Sequence, residues 1–514
     1  MRWSRRIVLV ALYGVLNAAA YSCLMPLWEG FDEGYHYGYV QMLSAHGTLP
    51  VLGRTVLTRE IWHAYELAPV SHYLQPFTGA PLNFGQYFAM TREDRARRRA
   101  ELDSIVVASK YELQRDKANY EANQSPLPYI FMAPFDWAMA GLPLTARVLA
   151  LRLICSILAV LLLAHSTLGL ARELGLTERY AAAALFCVFS AQMLYATICH
   201  VSNDWLAIPV MTYLLWAAIR AQESGSARDH LLLGVALSVG LLAKAYYLFL
   251  VPLPFLVAAW ALWRKRTTVL RAAWMLPPLA ILAAPWFARN VILYHNLAGT
   301  VEQTKGLELR GFLGAVFAVP WAGSIAYMAH TSLWTGNNSF TAFSSMTLNV
   351  VLALLAAGVV CNFVFGRPGA AEWIATGGIV LFSTGLAFST VAFFISSKGG
   401  VFAAFPWYMQ TLLSPVLLMA FLGLSRARAA GRVLFPLTVV AWAYLIAATY
   451  LAKLGPMYGG YPPSRAHLSA LWTWYWSGNG DWSASLAGGA AAWVLIALTM
   501  ALCLFLCGRL TLKA

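Results

Sequence analysis

Two adjacent carboxylates, Asp32 and Glu33, stand just after the first apolar run, in the stretch Pro26-Leu-Trp-Glu-Gly-Phe-Asp-Glu-Gly-Tyr-His36. His36 follows Asp32 by about one helical turn. Carboxylates at a membrane edge are hydrated or paired, so such a pair calls for a chemical explanation. A cation of the same kind is Lys244, in Ala243-Lys-Ala-Tyr-Tyr247, enclosed by apolar sequence. A lysine there is costly unless it faces a cavity or an anion. Further polar groups sit at or near the ends of apolar runs: Tyr120, Glu121 and Gln124; Arg147; His200, Asn203 and Asp204; and Arg289-Asn290 with Tyr294 and His295. Taken singly, Arg147, His200 and His295 read as interface anchors.

The elements that must position these groups are membrane helices. Of 514 residues, 60% are hydrophobic and only 11% charged, against about 25% charged in a soluble domain. The net charge of +14 is scattered between apolar runs, which makes it a topological signal and leaves no nucleic-acid partner to infer. The seven cysteines are odd in number and lie mostly in apolar segments, as small core residues do.

Arg2, Arg5 and Arg6 precede an apolar run over 7–25, an uncleaved first helix with its N-terminus inside. Residues 26–146 form one long extracytoplasmic loop with interfacial helices. Thr91 to Asn123 reads as a surface helix in which Arg97-Arg-Arg99 forms a solvated face or meets lipid headgroups. The stretch 125–141 is short and proline-bearing and contains Asp136, so it should not cross.

Further spans fall at about 147–170, 180–199, 205–220, 272–288, 346–363, 372–394, 406–424, 433–452 and 488–507. Basic loops at Arg172/Arg179, Arg220/Arg228, Arg264-Lys-Arg266 with Arg271, Arg426/Arg428/Arg432 and Arg509/Lys513 belong on the cytoplasmic side. Residues 231–263 have basic flanks and are too long for one span, so they should form two short helices turning outside at Lys244. The fold class is thus an all-α polytopic membrane protein of about twelve spans with both termini cytoplasmic. No internal repeat is evident.

By this topology the carboxylates and cations converge on one side of the membrane. That set suits glycosyl transfer from a lipid-linked sugar phosphate. A base takes the proton of the acceptor hydroxyl, and positive charge holds the departing phosphate. Phosphate leaves without protonation, so the second carboxylic acid of a glycosidase is not required.

These motifs resemble the membrane glycosyltransferases of the GT-C fold, especially the bacterial branch related to protein O-mannosyltransferases and the lipid A aminoarabinose transferase. Pro26, Glu29, Asp32, Glu33 and His36 match a Pro-x-x-Glu-x-x-Asp-Glu-x-x-His element. Gln124-Ser-Pro-Leu-Pro-Tyr129 is similar to Gln-Pro-Pro-Leu-x-Tyr, and Asn203-Asp204 to an outward Asn-Asp. Lys244 takes the lysine position of a Gly-x-x-x-Lys hairpin, and Pro285 to Tyr294 resembles Pro-Trp-x-x-Arg-Asn-x-x-x-Tyr-Gly. Three positions depart: Ser125 replaces a proline, His295 stands where glycine is expected, and Trp407-Tyr408 replaces Arg-Tyr. Beyond Tyr294 the likeness is one of hydropathy alone.

The resemblance implies a single GT-C-like transmembrane domain over 1–514, with donor-site helices and loops at 147–294 and variable helices at 295–514. It implies a polyprenyl-phosphate sugar donor, inversion at the anomeric carbon, an extracytoplasmic acceptor (envelope glycan, lipid or protein), and residence in a bacterial inner membrane. By the same carry-over, Asp32 is the base and Glu33 supports the acceptor or the catalytic geometry. Lys244 and Arg289 hold the donor phosphate. His36, Gln124, Tyr129, Asn203, Asp204, Asn290 and Tyr294 line or support the site. A divalent metal is compatible with Asp32, Glu33, His36 and Asp204, although oxygen-rich sites also work without one.

A transporter or flippase for a polyprenyl-linked glycan is the alternative, but it calls for charges along a transmembrane path rather than on one side. A third reading is a member that binds the lipid-linked sugar without transferring it. Trp472-Thr-Trp-Tyr-Trp476 fits either sugar stacking or an interfacial aromatic belt.

Overall fold

A computed structural model describes residues 3–299, 309–337, 343–461 and 468–512. Arg2 and Lys513 of the charge pattern lie outside the described residues. The described residues are mostly helical, with one two-stranded sheet among them.

The first helix, α1 (Arg5–Leu24), starts at Ser4, whose hydroxyl accepts the Ile7 amide. Its 20 residues reach about 30 Å, the thickness of a bilayer core. Before the next long helix, α6 (Leu144–Glu173), come α2 (Glu33–Ser44), β1 (Val56–Thr58), α3 (Arg59–Leu67), α4 (Arg92–Asp103), β2 (Leu113–Ala118) and α5 (Leu127–Ala138). Antiparallel pairing of Val56 with Ala118 and Thr58 with Leu113 ties the end of this region back to its beginning. That strand pair was not expected from sequence. Helix α5, with 12 residues, is too short to cross a bilayer.

A buried ion cluster holds the region onto the bundle. Arg147, near the start of α6 (Leu144–Glu173), is 0% exposed. It pairs with Glu60 of α3 and, at 3.3 Å, with Asp136 of α5. Tyr37 of α2 donates to Asp136 at 2.7 Å. Arg147 is thus a tie between elements rather than an interface anchor.

The Arg97-Arg-Arg99 run also differs from expectation. Arg97 is exposed beside Asp94, but Arg98 donates to the carbonyls of Glu66 and Leu67. Arg99 bonds Asp103 at 2.8 Å and the carbonyls of Ser485 and Leu486. Buried carbonyls at segment ends need donors, and two of the three arginines supply them.

Then follow α7 (Glu178–Val188), α8 (Gln192–Ile198), α9 (Asp204–Ser224), α10 (Ala227–Ala243), α11 (Pro252–Trp263) and α12 (Ala284–Tyr294). Between α10 and α11 the helix breaks where the sequence puts Lys244, whose backbone is extended (φ −157°, ψ 139°). A 3-10 turn over Ala245–Leu250 then leads into α11.

Among the described residues, nine helices are long and apolar enough to cross a membrane, or up to eleven if each of two bent pairs is one span. This count is below the expected twelve partly because the 205–220 segment is α9, which carries Asp204, Arg220 and Glu223, and the first of the two short helices expected within 231–263 is α10, with 17 residues. Conversely, Arg310–Ala318 and Trp321–Leu333, bent by 72°, form an apolar pair in the region assigned to an outer loop. The cysteines among the described residues are free, and all but Cys507 are buried.

Candidate active site

The loop that carries Asp32 is shaped by a residue that sequence reading overlooked. Arg152 lies inside α6 at 0% exposure and pairs with Glu33, also fully buried. Arg152 Nε donates to Glu33 Oε1 at 2.7 Å, and its Nη atoms donate to the carbonyls of Met25 (2.7 Å) and Pro26 (2.9 Å). Glu33 accepts in addition the amides of Trp28 and Val201, each at 3.1 Å. Its lone-pair positions are therefore filled from within the protein. An arginine inside an apolar run demands a buried partner, and that rule marks Arg152 as clearly as it marked Lys244.

This clamp bends the loop through two left-handed residues, Trp28 (φ 64°) and Asp32 (φ 57°). Such a conformation costs about 1–3 kcal/mol at a non-glycine residue and needs surrounding support. Trp28 has it from the Glu33 bond and from stacking on Tyr65 at 5.3 Å. Close packing of Gly30 on His200 leaves no room for a side chain, since a Cβ there would lie 2.3 Å from His200 Cβ.

Asp32 is the N-cap of α2, yet its side chain makes no capping bond. Its carbonyl accepts the Tyr35 and His36 amides, each at 3.0 Å. The left-handed backbone turns the half-buried carboxylate away from the helix, where it takes the Tyr120 hydroxyl. Burial pushes the Asp32 pKa up. The Tyr120 bond and the Lys244 charge pull it back down, while Asp204 adds to the rise.

Lys244 reaches this carboxylate's field from the break after α10. Its ammonium, 7% exposed as a residue, pairs with Asp204, the first residue of α9. It also lies over the rings of Tyr408 (5.3 Å) and Tyr246 (5.7 Å). Asn203 donates to Gln124 at 2.9 Å. Glu121 is buried, and burial together with the Asp32 charge pushes its pKa up to about 8. His36 Nδ1 is 2.7 Å from the Tyr129 hydroxyl and 3.9 Å from Glu121 Oε2. Burial lowers the His36 pKa well below the ordinary value, so the ring is neutral at pH 7.

Two polar atoms of this group, Glu121 Oε2 and Asn203 Oδ1, are buried without a hydrogen-bond partner. Buried polar groups are rarely left unsatisfied, so such atoms mark where a bound molecule or water fits. The late Trp407-Tyr408 pair completes one wall: Trp407 packs at a tilt against Phe31, with ring centroids 4.7 Å apart, and Tyr408 covers Lys244. Glu121 was among the outward residues without an assigned role. Its place after Tyr120 and just before Gln124 was the available signal.

Arg289, Asn290 and Tyr294 gather at the margin instead. Arg289 donates to the Pro50 carbonyl at 2.6 Å and lies over Trp286. Tyr294 accepts the Leu52 amide at 3.0 Å, and Asn290 donates to Leu297. They hold the loop around Pro50, and none of these bonds reaches Asp32 or Lys244. Arg289 Nη1 and Asn290 Oδ1 are buried and unpartnered. His295, where glycine was expected, adopts the left-handed φ of 54° that ends α12.

Among the described residues no group of three or more His, Cys, Asp or Glu side chains is placed to hold a metal ion. The candidate set Asp32, Glu33, His36 and Asp204 is split. Glu33 is committed to Arg152, Asp204 to Lys244, and His36 to Tyr129.

No family model and no curated protein sequence matches the chain. Among solved structures it is similar to ArnT from Cupriavidus metallidurans bound to undecaprenyl phosphate, at 13% identity and TM-score 0.46, over 98% of this chain and 77% of that one. It is also similar to the archaeal oligosaccharyltransferase AglB from Archaeoglobus fulgidus in complex with an inhibitory peptide and a dolichol-phosphate. There the identity is 11% and the TM-score 0.32, over 95% of this chain and 56% of that one.

Proposed function

We propose that this chain is an integral-membrane, inverting glycosyltransferase that moves a sugar from a polyprenyl-phosphate donor to an acceptor hydroxyl on the membrane face opposite the basic loops. The observation that carries the reading is the placement of Lys244 within electrostatic reach of Asp32. A base and a phosphate-binding cation thus share one partly desolvated site, although 212 positions separate them in sequence.

Asp32 takes the acceptor proton as the acceptor oxygen attacks the anomeric carbon. The bond from that carbon to the donor phosphate breaks, and the phosphate leaves with the electron pair. Lys244 receives the phosphate, exchanging part of its contact with Asp204 for the new anion. Arg289, through its unpartnered Nη1, is a second cation for the donor at the margin. Glu33 acts by holding the loop, Glu121 and His36 by setting the field around Asp32, and Asn203 with Gln124 by offering polar contacts to the sugar. Tyr129 orients His36, and Asn290 with Tyr294 supports Arg289.

The test is transfer in proteoliposomes containing the purified protein and a radiolabelled polyprenyl-phosphate sugar, with cell-envelope glycan, lipid or peptide fractions as acceptors. A glycosidic product supports the reading. Movement of the labelled lipid between leaflets without any product would replace it with the flippase.

A further inference from the structure

At the other end of α9 and α10 the bundle contains a feature that the proposed reaction does not use. Between α6, α9 and α10 lies a cavity of about 490 Å³, within the range of small-molecule and lipid-chain pockets. Leu162, Pro209, Val210, Val235 and Val239 form its apolar length. Leu232 also lines it and is 45% exposed, so the cavity opens sideways to the surroundings of the bundle.

The end of this groove carries two arginines against one lining carboxylate, Asp229. Arg220 and Arg228 line it there. Arg220 has a side chain 48% exposed and is shared loosely between Asp229 at 3.4 Å and Glu173 at 3.7 Å. Arg228 is exposed and forms no side-chain hydrogen bond or ion pair among the described residues. Asp229 is already occupied: it accepts the Ser226 hydroxyl at 2.9 Å and also bonds Ser224. Arg220 stands 16 residues beyond Asp204 on α9, so the basic mouth is about 24 Å from the Lys244 pair.

We propose that this groove is a binding site for an anionic phospholipid, with one acyl chain along the apolar wall and the phosphate at Arg228 and Arg220. Charge decides the headgroup. Basic pockets between membrane helices on the side of the basic loops take anionic lipid heads, and a zwitterionic head brings its own cation beside the phosphate, so it offers Arg228 and Arg220 no net negative charge. The lateral opening at Leu232 lets a chain enter from the leaflet without passing the Asp32 site. The site is independent of the transferase reading and stands if that reading fails.

The experiment places the full-length protein in nanodiscs of phosphatidylglycerol and phosphatidylcholine in equal parts. Retained lipids are then counted by native mass spectrometry. Wild type should retain phosphatidylglycerol in excess over phosphatidylcholine. Arg228→Ala, an exposed substitution, should keep the melting temperature and lower that excess about five-fold, the expected worth of one arginine at an anionic lipid. Ala236→Phe, which fills the groove, should lower retention of either lipid. Equal retention of the two lipids by wild type, or an excess unchanged in Arg228→Ala, overturns the proposal. So does occupancy seen only when a polyprenyl phosphate is added, since the groove would then belong to a donor chain.

Discussion

Arg152 and Glu33 form an ion pair in which both side chains are 0% exposed, and the loop that presents Asp32 hangs from both partners. Arg152 holds the carbonyls at the end of α1, and Glu33 holds the Trp28 and Val201 amides. The neighbouring carboxylates therefore have separate work: one is locked in the protein and the other faces a site.

Removing one partner of such a pair leaves a buried charge uncompensated, which costs about 3–5 kcal/mol. Arg152→Met and Glu33→Gln should each lower the melting temperature of the detergent-solubilised protein by many degrees. Arg59→Ala breaks an exposed pair with Glu112, whose side chains are 65% and 55% exposed, and should leave it nearly unchanged. Differential scanning fluorimetry of the three variants makes the comparison.

Tyr120 lowers the Asp32 pKa by donating its hydroxyl to the carboxylate. Tyr120→Phe removes that stabilisation of the charged form, so the Asp32 pKa should rise further. If ionised Asp32 is the base, the acidic limb of the kcat/KM profile shifts to higher pH in this variant, with activity approaching wild type at alkaline pH. An unshifted limb would detach Asp32 from the rate.

Glu121 titrates at about 8 in the folded chain, against about 4.3 for an ordinary glutamate. Across that window the folded state keeps a proton that the unfolded state has released. Its contribution to stability is thus fully present below about pH 4 and is lost as pH rises toward 8, by up to about 1.4 kcal/mol per pH unit. Glu121→Gln should flatten the fall of melting temperature between pH 5 and 8. Parallel curves for the variant and wild type would count against the assignment.

Lys244→Ala should weaken donor binding by about 2–5 kcal/mol, the range for losing one partner of a buried charge pair. It also leaves Asp204 unpaired. The double variant Lys244→Ala/Asp204→Asn should therefore recover stability without recovering affinity, as read by titration with a polyprenyl phosphate. Recovery of both would make Lys244 a structural residue only.

The sequence carried most of the grouping. Asp32, Lys244 and Asp204 were legible because charges beside or inside apolar runs need partners, and Asn203, Gln124, His36 and Tyr129 followed from matched motifs. Arg152 obeys the same rule but sits within a run that was read as a plain span. The divided roles of Asp32 and Glu33 were not readable, because the left-handed turn at Asp32 depends on contacts from α6 and the Tyr120 turn. Length and apolarity count fewer spans than the expected twelve where helices are bent or polar, at α9 and at the 310–333 pair. The arginine run was misread because its partners, such as the Ser485 and Leu486 carbonyls, lie almost four hundred residues away in sequence. Arg289 was placed by motif, yet its contacts are to the Pro50 loop.

The most direct measurement is sugar transfer by Asp32→Asn in proteoliposomes, paired with donor binding and melting temperature on the same preparation. The substitution keeps the shape of the side chain and an oxygen for the Tyr120 hydroxyl while removing its basicity. Transfer is expected to fall by at least the roughly 10²–10⁴-fold that a general base supplies, with donor binding and melting temperature close to wild type. Transfer at the wild-type rate would contradict the assignment of Asp32 and, with it, the proposed reaction site.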